Sequence, residues 1–309
     1  MPQDRMTLKK VAKWLAWSMI AMAVIVFTAW ATSPDPRFNP ASFEDKPLVQ
    51  GLAPLEQAIT LAQLRAPNGD THTLLVLARQ GESVTGIDLA DLGAPATADP
   101  FAALAAVNLA PVLAGRAGTI PKVTIAIGDL LPSGPAGTRQ IGTGTNFPEH
   151  AEEAESGTVF QFPKFGPASP ARTQVQAREG ILLDYEVEIC VRFDRTLRTA
   201  EDFDQAVKGF FLCGDFTNRN ALINLADPDN LDAGCGFSDA KSGPDFFPTG
   251  PFLVIPRDWK AFVANIRMTT AINGAPRQEQ SCPVRRDRGG PLLARGALTD
   301  SIHHTGQHQ

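Results

Sequence analysis

Leu183-Asp184-Tyr185-Glu186-Val187-Glu188-Ile189-Cys190-Val191-Arg192-Phe193 is the stretch on which the reading of this chain turns. Leu183, Tyr185, Val187, Ile189, Val191 and Phe193 alternate with Asp184, Glu186, Glu188, Cys190 and Arg192. Apolar residues at period two predict a β-strand with one apolar face. The same period sets Glu186 and Glu188 together on the other face, about 7 Å apart along the strand. Taken alone, the pair reads as two solvated carboxylates on an exposed polar face.

Moving outward, the apolar run Gly209-Phe210-Phe211-Leu212-Cys213-Gly214 predicts a second strand that delivers Asp215 at its end, beside a polar turn at residues 217–220. An acid there serves equally as a ligand or as a turn or cap residue. Upstream, His150 and Glu153 share a face if residues 148–154 form a short helix; the plain alternative is an acidic surface helix. Three of the five histidines (His303, His304, His308) crowd the polar tail, where disorder is the ordinary expectation. Only His72 and His150 remain in the body, so a histidine base would be His150. Gly142-Thr143-Gly144 lacks the third glycine and the following helix of a dinucleotide loop.

Composition bounds the rest. The 25 prolines and 26 glycines among 309 residues predict many turns and few long helices, hence an α+β, β-rich fold. Net charge is −5 with no long basic run beyond the N-terminus, which excludes nucleic acid as a partner class. Cys190 and Cys213 lie in strand-like apolar runs and read as buried free thiols. No CxxC pair suggests zinc, and Cys235 and Cys282 could be bridged only in an oxidising compartment.

Residues 14–31 carry no charge and as a helix would span roughly 27 Å, near the hydrocarbon thickness of a bilayer. Arg5, Lys9, Lys10 and Lys13 precede them, which predicts an N-terminus in the cytoplasm and the remainder outside. Ala29-Trp30-Ala31 also fits a cleavage site. Residues 1–31 are therefore expected to be a transmembrane anchor or a signal peptide, with the core outside the cytoplasm, secreted or periplasmic. Residues 33–48, with four prolines, read as linker. Apolar residues recur at helical spacing over 54–64, residues 74–77 and 123–127 read as strands, and 130–137 as a hinge. The expected divisions are 1–31, an N-terminal domain with its linker over 32–139, a core over 140–281 and a divergent tail over 282–309.

Several motifs in order resemble the fumarylacetoacetate hydrolase family. Gly144-Thr145-Asn146-Phe147 leads to His150 and Glu153 as in the family's Gly-x-Asn-Tyr segment, with Phe for Tyr. Phe160-Gln161-Phe162-Pro163-Lys164 resembles its lysine segment, and Asp184-Tyr185-Glu186-Val187-Glu188 its Asp-Tyr-Glu-x-Glu strand. Gly209, Asp215, Thr217 and Arg219 match a further segment, though Asn220 stands where Asp is usual. Lys241 precedes a Pro-x-Gly-Pro turn at 248–251, and Asn273-Gly274 followed by Gln278 resembles the family's hairpin. After Gln278 the resemblance ends. No Thr-Gly-Thr-Pro loop follows, and the chain reads as truncated or frameshifted, with residues 282–309 expected to be disordered.

The resemblance implies a core of rolled mixed β-sheets, incomplete at its C-terminus, and a homodimer. It implies Glu186, Glu188 and Asp215 as ligands of Mg²⁺, Ca²⁺ or Mn²⁺, hard cations suited to carboxylates. His150 oriented by Glu153 would be the base, Lys241 would stabilise negative charge, and Lys164 and Arg219 would bind a substrate carboxylate or support the site. The implied activity is hydrolysis of a C–C bond in an acylpyruvate or 1,3-diketo acid, as in aromatic catabolism. The alternatives are decarboxylation, isomerisation or hydration of a related keto acid, or an inactive truncated metal-binding relative.

Overall fold

The structure is a computed structural model that describes residues 8–32, 51–114, 120–137, 139–145, 159–227, 229–230 and 233–281. His150 and Glu153, the 33–48 linker, Cys282 and the 282–309 tail lie outside the described residues.

The N-terminal expectation is corrected. Helix α1 (Leu8–Thr32) forms, but no helix of the described residues is long and apolar enough to cross a membrane. The transmembrane span, the membrane as a partner through residues 14–31, and the placement of the core outside the cytoplasm lose their basis together.

The chain then builds β1 (Ala58–Arg65), β2 (Thr71–Gln80) and β3 (Ser83–Asp88), a 3-10 turn capped by Asp88, short helices α2 (Pro100–Ala105) and α3 (Ala110–Leu113), and strands β4 (Val123–Ala126) and β5 (Leu130–Leu131). The helical spacing read over 54–64 does not yield a helix. Thr60, Leu61, Ala62 and Gln63 are buried in succession in β1, so both faces of this strand are covered, and a continuous buried run carries no clean period. Residues 74–77 and 123–127 meet their strand expectation in β2 and β4.

Next come β6 (Arg139–Gly144), β7 (Phe160–Phe165), β8 (Ser169–Pro170), β9 (Leu183–Phe193), α4 (Ala200–Gln205) and β10 (Lys208–Asn218). They are followed by α5 (Arg219–Leu225), α6 (Phe237–Lys241), β11 (Pro248–Thr249), β12 (Phe252–Pro256), α7 (Trp259–Ala264), β13 (Arg267–Ile272) and β14 (Ala275–Ser281). Ten strands form one curled mixed sheet in the order β4-β3-β2-β1-β12-β10-β11-β8, with β5 on β1 and β9 on β10. All of its pairings are antiparallel except β11 with β8. β6–β7 and β13–β14 are separate hairpins. Because β1 pairs β12, the chain on both sides of residue 139 shares one sheet. The fold is α+β and β-rich, as expected.

Three apolar clusters hold it. Leu61, Leu75, Ile87, Leu89, Phe101, Phe211, Cys213 and Leu253 fill one side of the sheet, and Ala62, Leu74, Val76 and Val84 the other. The third joins Phe210, Val263 and Met268 to Val187, Ile189 and Val191, so α7 and β13 cover the apolar face of β9. That burial decides which way β9 faces: with Val187 and Ile189 turned onto α7 and β13, Glu186 and Glu188 must project to the opposite side.

Candidate metal centre on the β9–β10 pair

β9 and β10 pair without a register break over eleven residues, with Glu186 opposite Asp215, Glu188 opposite Cys213 and Asp184 opposite Thr217. Directly opposed residues of an antiparallel pair share a face. Asp215 therefore lies inside a strand rather than at its end, and the polar turn expected at 217–220 is the last turn of β10 and the start of α5. Among the described residues, Glu186, Glu188 and Asp215 are the acids that could hold a metal ion. One carboxylate oxygen of each lies within 4.8 Å of the others.

Three cations surround these acids. Lys164 donates to Asp215 Oδ1 at 2.5 Å and to the Lys241 carbonyl at 2.5 Å. Lys241 donates to Asp215 Oδ2 at 2.6 Å and to Glu186 Oε2 at 3.4 Å. The Arg219 guanidinium reaches Asp184 Oδ2 at 2.7 Å and Glu186 Oε1 at 3.0 Å. Asp215, 7% exposed, thus has each oxygen bound to a buried ammonium. An anion so deep in the fold is tolerable only with such partners.

Each cation arrives on its own element. Phe160, Phe162 and Lys164 are the inward residues of β7, and Phe160 and Phe162 pack on Phe237 of α6. That contact brings Lys241, the last residue of α6, beside Lys164. Gly142 and Gly144 make the approach possible. A Cβ on either would fall 2.3 Å from the ring of Phe162 or Phe160, so the Gly-Thr-Gly run exists to seat two phenyl rings, consistent with its lack of a phosphate-loop pattern. Arg219 begins α5, and its backbone N–H is fixed on the Leu182 carbonyl at 2.8 Å.

Burial pulls the Lys164 ammonium below its ordinary value, with Asp215 opposing. Burial also acts on Lys241, but Asp215 and Glu186 outweigh it and hold that group above its ordinary value. Glu188 stands apart: it is hemmed in, lies beside Asp215 and Glu186, and its carboxyl is pushed up to about 8. Desolvation and two like charges both disfavour its anion. A divalent cation is the group that would relieve this crowding, and an all-oxygen donor set fits Mg²⁺, Ca²⁺ or Mn²⁺.

One sequence expectation on this face is corrected. Cys190 and Cys213 are not free thiols but form a disulfide between β9 and β10, with Cα atoms 5.9 Å apart. Cys190 lies opposite Phe211 and Cys213 opposite Glu188, so the two are diagonal neighbours on one face, close enough to bridge. The strand period puts Cys190 on the face of Glu186 and Glu188, but which residue of β10 it meets could not be read without the pairing. Among the described residues Cys235 has no disulfide partner and is exposed, and Cys282 lies outside them. The residues brought together are Glu186, Glu188, Asp215, Lys164, Lys241 and Arg219. The sequence reading quoted Asp184 and Thr217 within motifs but gave neither a role: Asp184 binds Arg219, and Thr217 is fully buried, its hydroxyl without a hydrogen-bond partner among the described residues. Asp184 had a legible signal, being in line with Glu186 at period two.

Gln278 of β14 also reaches this region. Its Oε1 accepts from the Val187 backbone N–H at 3.2 Å and from the Thr270 hydroxyl at 3.1 Å, docking the hairpin on the outer edge of β9.

Residues 139–284 match the model of the fumarylacetoacetate hydrolase C-terminal domain. No curated protein sequence matches the chain. Among solved structures, one named Cg1458 overlaps 77% of this chain and 81% of its own length at 16% identity and a TM-score of 0.48. A 5-carboxymethyl-2-hydroxymuconate delta-isomerase from Mycobacterium smegmatis overlaps 72% and 75% at 16% identity and a TM-score of 0.46. A 2-hydroxyhepta-2,4-diene-1,7-dioate isomerase from Mycobacterium marinum overlaps 72% and 74% at 17% identity and a TM-score of 0.42. Members of the matched family are generally enzymes, isomerases, hydrolases and decarboxylases among them, that act on small substrates and typically depend on a divalent metal. With the acids of β9 and β10 and the lysines of β7 and α6 inside the matched segment, residues 139–284 are similar to the fumarylacetoacetate hydrolase C-terminal domain.

Proposed function

We propose that the 140–281 core is a divalent-metal-dependent hydrolase that cleaves a C–C bond in an acylpyruvate or 1,3-diketo acid. The observation that carries this reading is the carboxylate triad of Glu186, Glu188 and Asp215, converging within 4.8 Å in the family-matched segment. Those three residues would hold Mg²⁺, Ca²⁺ or Mn²⁺. Such an ion supplies Lewis acidity toward the vicinal oxygens of a keto acid and lowers the energy of negative charge that develops there.

The chain's own groups do the rest. Asp215, held by Lys164 and Lys241, cannot swing away, so one ligand is set before any substrate arrives. Lys241 also leaves a positive charge beside Glu186, where it would offset anionic character in the transition state. Lys164 and Arg219 are engaged by protein carboxylates and serve the site as supports. His150, oriented by Glu153, would take the proton of the attacking water, whose oxygen bonds to the carbonyl carbon; the adjacent C–C bond then breaks, its electron pair leaves with the departing carbon as an enolate, and that carbon takes up the proton. The working assembly is proposed to be a homodimer, which sedimentation would check.

The experiment incubates the full chain with acylpyruvates and 1,3-diketo acids in Mg²⁺ or Mn²⁺ and follows loss of the diketo absorbance. Hydrolysis should vanish in Glu186→Gln. It should fall about 10²–10⁴-fold in His150→Ala while metal affinity stays near its original value. A wild-type protein that binds Mn²⁺ yet turns over none of these substrates would overturn the hydrolase reading and leave the metal site standing.

A further inference from the structure

We infer that Asp184 is a positioning residue for the carboxylate triad, acting on Glu186 through Arg219; this rests on the triad being a metal site. Asp184, Glu186 and Glu188 are alternate residues of β9 and lie along one face. Between the first two sits the Arg219 guanidinium, with Asp184 Oδ2 at 2.7 Å on one side and Glu186 Oε1 at 3.0 Å on the other. A planar guanidinium fork held by two carboxylates has a fixed orientation, which a single partner cannot impose.

The rest of the surroundings separates this side-chain contact from the fold. The Arg219 backbone is held by the Leu182 carbonyl, and α5 is capped by Asn218 at the Ala221 N–H. Neither contact uses Asp184. Among the described residues, the other Asp184 oxygen accepts from the Tyr185 backbone N–H alone, at 2.8 Å. The Asp184 side chain is 40% exposed, against 11% for Asp215. Its removal therefore leaves no buried charge and does not undo the β9–β10 ladder. What changes is where the charge of Arg219 goes.

With the Asp184 carboxylate in place, the guanidinium is shared, and Glu186 keeps anionic character for a cation that it must hold jointly with Glu188 and Asp215. In Asp184→Asn, the whole of the Arg219 charge falls to Glu186, already touched by Lys241 at 3.4 Å. The guanidinium then competes with a divalent cation for the same carboxylate. Groups that orient metal-binding side chains typically contribute about 10–100-fold in affinity. The partial exposure of this pair puts the expected effect at the lower end, about tenfold.

The test is a double-mutant cycle on the full chain, read by calorimetric titration with Mn²⁺ alone and by thermal unfolding in chelator. Asp184→Asn should weaken Mn²⁺ binding about tenfold in the wild-type background and change it by less than about twofold when combined with Arg219→Gln. The chelator-treated protein should melt within a few degrees of wild type in both. Arg219→Lys keeps the charge without the fork and should lose affinity to a similar degree, which keeps the inference testable if the Asn variant expresses poorly. An equal loss from Asp184→Asn with and without Arg219 would show that Asp184 does not act through the arginine. Unchanged Mn²⁺ affinity in Asp184→Asn would also overturn the inference while sparing the metal site. A wild-type protein with no saturable Mn²⁺ binding would instead remove the metal site, and the inference with it.

Discussion

Two regions of the large sheet use the same strand geometry for opposite purposes. In β1 and β2, Leu61, Leu74 and Leu75 are fully buried, and side chains on both faces meet apolar partners. In β9, every residue is only partly buried. One of its faces packs on α7 and β13, and the other carries Asp184, Glu186 and Glu188 toward three cations. β10 joins the two regimes within one strand: Phe211 and Cys213 belong to the apolar cluster, and Asp215, two residues on, belongs to the site. A site built as the polar extension of a packed face inherits rigidity from the core without sitting inside it.

The comparison breaks most visibly at Asp215. Asp215→Asn deprives two buried ammonium groups of their shared partner, and breaking a buried charge cluster in this way destabilises by about 3–5 kcal/mol. It should also abolish saturable Mn²⁺ binding. Urea unfolding in chelator and calorimetry check the two halves separately, and a variant as stable as wild type would mean that the lysines find other partners.

Leu75→Ala strikes the other regime. It should lower stability by about 2–5 kcal/mol in urea titration. Mn²⁺ affinity of the folded fraction should not change, because Leu75 belongs to the apolar cluster and none of the acids does. Coupled loss of affinity would show that the site and the N-terminal strands are not separable.

The disulfide tests the boundary between the regimes. Cys190→Ala with Cys213→Ala opens a cross-link between residues 23 apart and should cost about 3 kcal/mol by loop-closure entropy. Reduction of the wild-type protein followed by alkylation should match it. A negligible change in denaturation midpoint would mean that the β9–β10 ladder alone holds these strands.

Glu188 sharpens the contrast through pH. Burial and its acidic neighbours raise its carboxyl to about 8, so the native protein binds that proton more tightly than the unfolded chain does. In chelator, stability should therefore fall as pH rises from the ordinary carboxylate range through about 8. Glu188→Gln should flatten that fall. A wild-type profile that rises over the same window would contradict the crowding of the triad.

The smallest effect is expected on the surface. Arg172 pairs with Glu82 where both side chains are mostly exposed. Arg172→Ala should change stability by less than about 1 kcal/mol and leave Mn²⁺ binding intact.

Local chemistry settled more of this molecule than its length would suggest. The alternation from Leu183 to Phe193 determined a strand and put Glu186 and Glu188 on one face, because side-chain direction in a strand depends only on parity. Motif order determined the family resemblance and singled out Lys164, Asp215, Arg219 and Lys241. The sequence reading failed where long-range contact decides. β1 lost its period because it is buried on both faces, and Cys190 met Cys213 because of a register set by eleven paired residues. The N-terminal span was judged on apolar length, which the described helix does not provide. The charge pattern of the site was also beyond one-dimensional reading. Lys164 and Lys241 are 77 residues apart, and only the packing of Phe160 and Phe162 on Phe237, over two glycines, brings both ammonium groups onto Asp215. Pairing energies of this kind depend on distance and burial, and those exist only once the chain has folded.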